Sequence, residues 1–302
     1  MKLAFLISAH TDPEHLKRLI LSLPEDAVFV VHIDAKSNIS TFTSIINDNR
    51  VHFIENRTNV MWGSIGHVDN QMKMIRKALE LCKDTPFDYF IMLSGLDYPL
   101  WSNERILSFF AENNGKEFIA TQCMENQGKE AKIYTEHRPF NYKYWPYGSL
   151  GSKFRVALRH IIYGIGIRKK LRFVAKGREY VLHKGSMNWA ITPDLAKLAL
   201  DYWDNNPEYV RYFHDGHGPD ETFIQTLTAH SEFADKAIRI TGPFLGLESI
   251  TPLHYMDYTE GTKVLTEKDF DILIESGKMF CRKTVTGQSD RLMDMIDRHR
   301  RA

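Results

Sequence analysis

A chain of 302 residues, 43% hydrophobic and 25% charged, is long enough for one large α/β domain or two small ones, and its composition excludes disorder as the main state. A formal charge of +1 excludes a global field for nucleic acid, so any electrostatic preference must be local. Cys82, Cys123 and Cys281 stand far apart without CxxC spacing, which argues against structural zinc and a disulfide framework and fits a reducing, cytoplasmic compartment.

The N-terminus has one early Lys and a short apolar run, superficially like a signal peptide. The run from Leu3 to Ile7 meets Ser8, His10 and Asp12 too soon, so a buried first strand over Leu3–Ala9 is predicted. No apolar stretch reaches the ~20 residues of a membrane span, and a soluble protein is expected. A helix opens at Pro13 with Leu16, Leu19, Ile20 and Leu23 on one face. Further strands are predicted over Ala27–Ile33, Val51–Ile54 and Tyr89–Leu93, and a long helix over Ile65–Leu81. This alternation predicts a mainly parallel, Rossmann-like sheet covered by helices on both faces.

Between His137 and Arg178 there is no acidic residue, while Arg138, Lys143, Lys153, Arg155, Arg159, Arg168, Lys169, Lys170, Arg172, Lys176 and Arg178 are basic. Phe140, Tyr142, Tyr144, Trp145 and Tyr147 interleave them. The stretch reads as an insertion at about 137–180, a lid that meets an anionic acceptor or an anionic membrane surface; a solvated basic face is the plain alternative. Downstream, a strand over Met187–Ile191, a helix over Pro193–Trp203 and a helix after Gly218-Pro219-Asp220-Glu221 are predicted. No repeat or linker cuts the chain, so one domain over 1–302 is expected.

In open α/β sheets ligands bind beyond the carboxyl ends of the strands. His10-Thr11-Asp12, His32-Ile33-Asp34 and Ser94-Gly95-Leu96-Asp97 fall at such ends. Singly they read as caps and turns; together they favour a nucleotide cleft. Glu221, beside Asp220, is expected in the first turn of its helix, where a fixed carboxylate could serve as a general base. Arg282 and Lys283 are adjacent cations that could clamp a diphosphate. No Asp-x-Asp ends an apolar strand, and Asp97 alone makes a poor divalent-metal site, so no metal is expected. His214-Asp215-Gly216-His217 reads as a polar loop rather than a metal centre.

The segments Leu6-Ile7-Ser8-Ala9-His10, Val31-His32-Ile33-Asp34-Ala35-Lys36-Ser37, Asn59-Val60-Met61-Trp62-Gly63, Leu93–Leu100, Lys184-Gly185-Ser186 with Trp189, Pro219–Phe223 and Ser276–Lys283 lie in this order over nearly the whole chain. Each is weak alone, but together they resemble the core-2/I-branching enzyme family, β-1,6-N-acetylglucosaminyltransferases and protein O-xylosyltransferases. The resemblance implies a GT-A fold and inverting, metal-independent transfer from a UDP-sugar, with Glu221 as base. It implies a donor site of His10, Asp34, Trp62, Asp97, Arg282 and Lys283, with Asp34 meeting the uridine and the basic pair the diphosphate. Asp220, Trp189, Lys184 and His254 are expected to support the site or touch the acceptor. Two positions depart from the family: His254-Tyr255-Met256-Asp257-Tyr258 replaces an Arg-Tyr-Ile-Asp-Trp pattern, and Thr284 stands where Phe usually follows the basic pair.

The expected partners are a UDP-sugar, most simply of N-acetylglucosamine or xylose, and a glycan, lipid-linked or protein acceptor, with peripheral contact at the inner membrane face through residues 138–178. Two rivals come from other classes. A metal-dependent phosphoesterase would need His10, Asp12, His32, Asp34 and His214 to converge, and an idle UDP-sugar-binding protein would bind without turnover.

Overall fold

The structure is a computed structural model that describes residues 1–83, 86–125, 127–146, 148–259 and 261–301; Tyr147 of the aromatic stretch lies outside the described residues. Strands β1 (Leu3–Ala9), β2 (Val28–Ile33), β3 (Val51–Phe53) and β4 (Tyr89–Ser94) form on the predicted apolar runs. They pair in parallel in the order β4-β1-β2-β3, with Leu6 opposite both Val30 and Met92. Side chains alternate across a strand, and β1 shows it: Ala4 and Leu6 join one core, Leu3, Phe5 and Ile7 the other. The helix Gly66–Leu81 covers the first face, and the helices Pro13–Ser22 and Asn103–Glu112 cover the second. Strands buried on both sides must be apolar nearly throughout, which is why β1, β2 and β4 are near-continuous apolar runs, while the edge strand β3 is only half-buried and carries His52.

β5 (Asp97–Pro99) leaves this sheet, and β6 (Glu117–Cys123) rejoins it. The insertion contributes the helix Leu150–Gly164 and a hairpin of β7 (Arg172–Ala175) and β8 (Arg178–Val181). β9 (His183–Lys184), β10 (Ala190–Ile191) and β11 (Ala237–Ile240) then complete the order β11-β6-β10-β4-β1-β2-β3, with β9 on β6. β10 runs antiparallel to both β4 and β6, and β9 antiparallel to β6, so the sheet is mainly parallel, as expected. The strand expected over Met187–Ile191 shortens to Ala190–Ile191, because Ser186 Oγ turns the chain by accepting from the Asn188 amide at 3.1 Å.

A second, three-stranded sheet sets β13 (Phe280–Arg282) between β12 (His254–Met256) and β5. It packs on a core of Tyr98, Leu265, Leu273, Cys281, Leu292 and Ile296. This small sheet brings the C-terminal basic pair back to the carboxyl end of β4. Glu221 corrects the expectation of a helix start: it ends a 3₁₀ turn, Pro219–Glu221, that precedes the helix Phe223–Ala229. Gly218, at φ 52°, supplies the left-handed residue that throws the chain into this turn.

Candidate active site

Two glycines let the site close up. A Cβ on Gly95 would lie 2.6 Å from Ala9 Cβ, so only glycine lets the turn after β4 pass the end of β1. A Cβ on Gly185 would lie 2.1 Å from the Ala120 carbonyl oxygen. Gly185 therefore lies flat on β6 and donates its amide to the Glu221 carbonyl at 2.9 Å, bringing Lys184 beside Glu221.

Asp97 takes a different place from the donor contact expected of it. It is fully buried, and its carboxylate is consumed by protein donors: the Ser94 amide at 2.8 Å, Asn188 Nδ2 at 3.2 Å, and Arg282 Nη1 at 3.0 Å, with His254 Nε2 at 3.1 Å. Burial pushes its pKa up, but the His254 contact and the Arg282 charge outweigh this and hold it below the usual carboxylate range. Asp97 thus positions Arg282, which ends β13 with its guanidinium partly open. His254 stacks on Phe280 and faces Asp97, so the departure from the family's Arg at this position leaves His254 inside the anchor rather than on a ligand. Thr284, the other departure, is also internal: His15 bridges its hydroxyl at 2.6 Å and the Gly95 carbonyl at 2.9 Å, fastening the segment after Lys283 to the turn after β4. The Lys283 ammonium has no partner among the described residues.

Glu221 has one charged partner, Lys184 Nζ at 3.2 Å from Oε2, and its side chain keeps 31% of its surface open. Burial raises its pKa, Lys184 pulls it down, and neighbouring Asp220 pushes it up again; the net shift is upward. Lys184 is itself buried between the rings of Tyr134 and Phe244. Asp220 faces His67 at 3.8 Å, and its Oδ1 has no hydrogen-bond partner among the described residues.

His10 stands partly exposed after β1, its pKa lowered by burial, opposed by Asp34, and lowered further by Arg282, Lys36 and His67. The Ser37 hydroxyl donates to the His10 carbonyl at 2.6 Å and the Asp34 amide to the Ala9 carbonyl at 2.8 Å, so the ends of β1 and β2 meet here. Asp34 accepts from the Lys36 amide at 2.9 Å and from Lys36 Nζ at 2.7 Å, and Lys36 also reaches Asn59 Oδ1 and the Val60 carbonyl. Trp62 is largely exposed and meets His217 edge-on at 6.1 Å, a flat ring at the rim. Trp189, by contrast, is buried among the sheet and helices, so it supports the site by packing and touches no acceptor.

Sequence reasoning passed over Tyr258, on which the charges of Glu221 and Arg282 both bear. Burial and then the charge of Glu221 push its phenol up to about 12, while the Arg282 charge pulls it down. Its hydroxyl donates to Met256 Sδ. The signal was present as the aromatic that replaces Trp in the departing segment. Lys36 and His67 were likewise missed as site residues.

The ligand set of the phosphoesterase rival does not assemble. Asp12 caps the helix at His15 and accepts from Thr286, His32 Nε2 accepts from the Thr58 amide, and His214 packs on Tyr142. Asp215 is held by His137 at 2.6 Å and Lys169 at 2.7 Å. Among the described residues no group of three or more His, Cys, Asp or Glu side chains converges on a metal position.

The sequence model of the Core-2/I-Branching enzyme family matches residues 3–263 of the chain. The chain belongs to that family. Among curated proteins, xylosyltransferase sqv-6 of Caenorhabditis elegans is 24% identical over 243 residues, covering 78% of this chain and 27% of the relative. Xylosyltransferase 2 of Rattus norvegicus is 27% identical over 133 residues, covering 42% of this chain and 15% of the relative. The chain thus spans about a quarter or less of these relatives. A solved glycosyltransferase involved in glycosylation of the major capsid of PBCV-1 aligns over 99% of this chain and 100% of its own at 11% identity and TM-score 0.34, too low to carry an argument. Membership of this glycosyltransferase family agrees with the α/β sheet and with the segments that mark it.

Proposed function

We propose that the chain transfers a sugar from a UDP-sugar to a hydroxyl of a glycan or glycoconjugate, with inversion and without a metal ion. Xylose is the first donor to test, because the curated relatives are named xylosyltransferases, and N-acetylglucosamine the second. The supporting observation is one part-open carboxylate, Glu221, and one anchored cation, Arg282, whose charges both bear on the Tyr258 phenol. In the proposed step the acceptor hydroxyl gives its proton to Glu221, and its oxygen attacks the anomeric carbon. The bond from that carbon to the β-phosphate oxygen breaks, and UDP leaves with the electron pair. Inversion follows from a single displacement. Arg282, with Lys283 beside it, meets the charge that develops on the diphosphate, doing by fixed cations what a divalent ion does elsewhere. In this reading Asp34 and His10 receive the uridine, and the exposed Trp62 ring offers the donor a stacking face.

UDP binding and slow donor hydrolysis across a panel of UDP-sugars, each with and without EDTA, test this reading. Binding and hydrolysis of one UDP-sugar that survive EDTA are expected. Loss with EDTA, or no response to any UDP-sugar, would overturn it.

A further inference from the structure

The helix Leu150–Gly164 is the least covered element of the fold: none of its fifteen residues is buried. Leu150 is 86% exposed, Phe154 57%, Ile161 58%, and Ile165, which caps the helix, 67%. Their spacing of 4, 7 and 4 residues puts all four on one face. The orientation of the helix is fixed from the opposite side. A Cβ on Gly151 would lie 2.8 Å from the Trp145 ring, so the helix is seated against that indole, and Arg155 stands over the same ring at 5.9 Å. The Tyr163 ring faces back toward the body, against Lys132 at 5.6 Å and Arg168 at 3.2 Å. The apolar stripe is therefore turned to solvent by construction.

Lys153 lies exposed on the helix itself, Lys143 and Lys170 are exposed in the segments before and after it, and no acid occurs from 137 to 178. An outward apolar helix face in a stretch whose only charges are cationic has the chemistry of an interfacial helix. We propose that this face docks on an anionic lipid bilayer, with Leu150, Phe154, Ile161 and Ile165 entering the headgroup boundary and the flanking cations meeting lipid phosphates. Charge decides between occupants: a second copy would bring a like-charged stretch against this one, whereas an anionic surface complements both the cations and the stripe. Docking does not depend on the transferase reading.

Co-sedimentation of the full chain with phosphatidylcholine vesicles, with and without phosphatidylglycerol, tests the docking. Binding to the anionic vesicles at low salt is expected, weakening in high salt and at least about tenfold weaker in Phe154→Glu/Ile161→Glu. A second variant, Lys153→Glu/Lys170→Glu, should lose binding to anionic vesicles while keeping the apolar stripe. All four positions are exposed, so both variants should melt like the native chain and keep its UDP affinity. The proposal fails if the native chain ignores anionic vesicles at low salt, or if Phe154→Glu/Ile161→Glu binds them unchanged. It also fails if the native chain dimerises through this face without binding vesicles, or binds a soluble polyanion such as heparin but not the bilayer.

Discussion

The two ends of the cleft are held in opposite ways. Arg282 rests on a buried lattice in which Asp97 takes donors from Ser94, Asn188, His254 and Arg282 itself. Among the described residues Glu221 has one cationic partner, Lys184, and a side chain open to approach. A cation that must meet a developing charge benefits from being fixed in advance, since reorganisation at the moment of reaction is then avoided. A base must stay reachable by a proton that arrives with the acceptor, and its pKa must be adjustable. The contrast fits the proposed division, in which the anchored end binds the donor and the open end takes the proton.

The comparison can be broken most severely at Asp97. Asp97→Ala leaves Arg282 and His254 facing each other without their shared carboxylate, and a loss of about 3–5 kcal/mol in stability is expected, read from urea unfolding. Arg282→Met tests the same end without emptying the anchor. UDP affinity should fall about 10- to 100-fold by calorimetry, as for loss of a charge-assisted contact, while melting changes far less. The smallest and most specific effect is expected at Lys184. That ammonium holds the Glu221 pKa down against burial and Asp220, so Lys184→Gln should raise it further. A base works only when deprotonated, so the acidic limb of the kcat/KM profile should already lie above the usual carboxylate range in the native chain and move to still higher pH in the variant. A limb that stays in place would separate Lys184 from the base.

How much of this was legible in the sequence follows from how local each signal is. β1, β2 and β4 were read almost to the residue because strands buried on both faces leave continuous apolar runs. The short β10 was misjudged because a turn through Ser186–Asn188 is set by a hydrogen bond rather than by periodicity. Asp97 looked like a ligand because a lone carboxylate after a strand has no visible partner. Its partners His254 and Arg282 come from 157 and 185 residues away, joined by a second sheet that no local pattern announces. Glu221 and Lys184 were placed by resemblance, while the 3₁₀ turn, the pairing of Lys184 with Glu221 and the part of Tyr258 emerged only from tertiary packing. In the insertion the charge bias was plain, but the apolar stripe within it went unread because its spacing is ordinary until the structure turns it outward.

The division of labour is tested most directly by Glu221→Gln, with UDP affinity and transfer rate measured on the same preparation and with the donor that the UDP-sugar panel identifies. Near-native UDP affinity with turnover reduced about 10²- to 10⁴-fold is the predicted result. Near-native turnover would remove Glu221 from the role of base and with it the central claim.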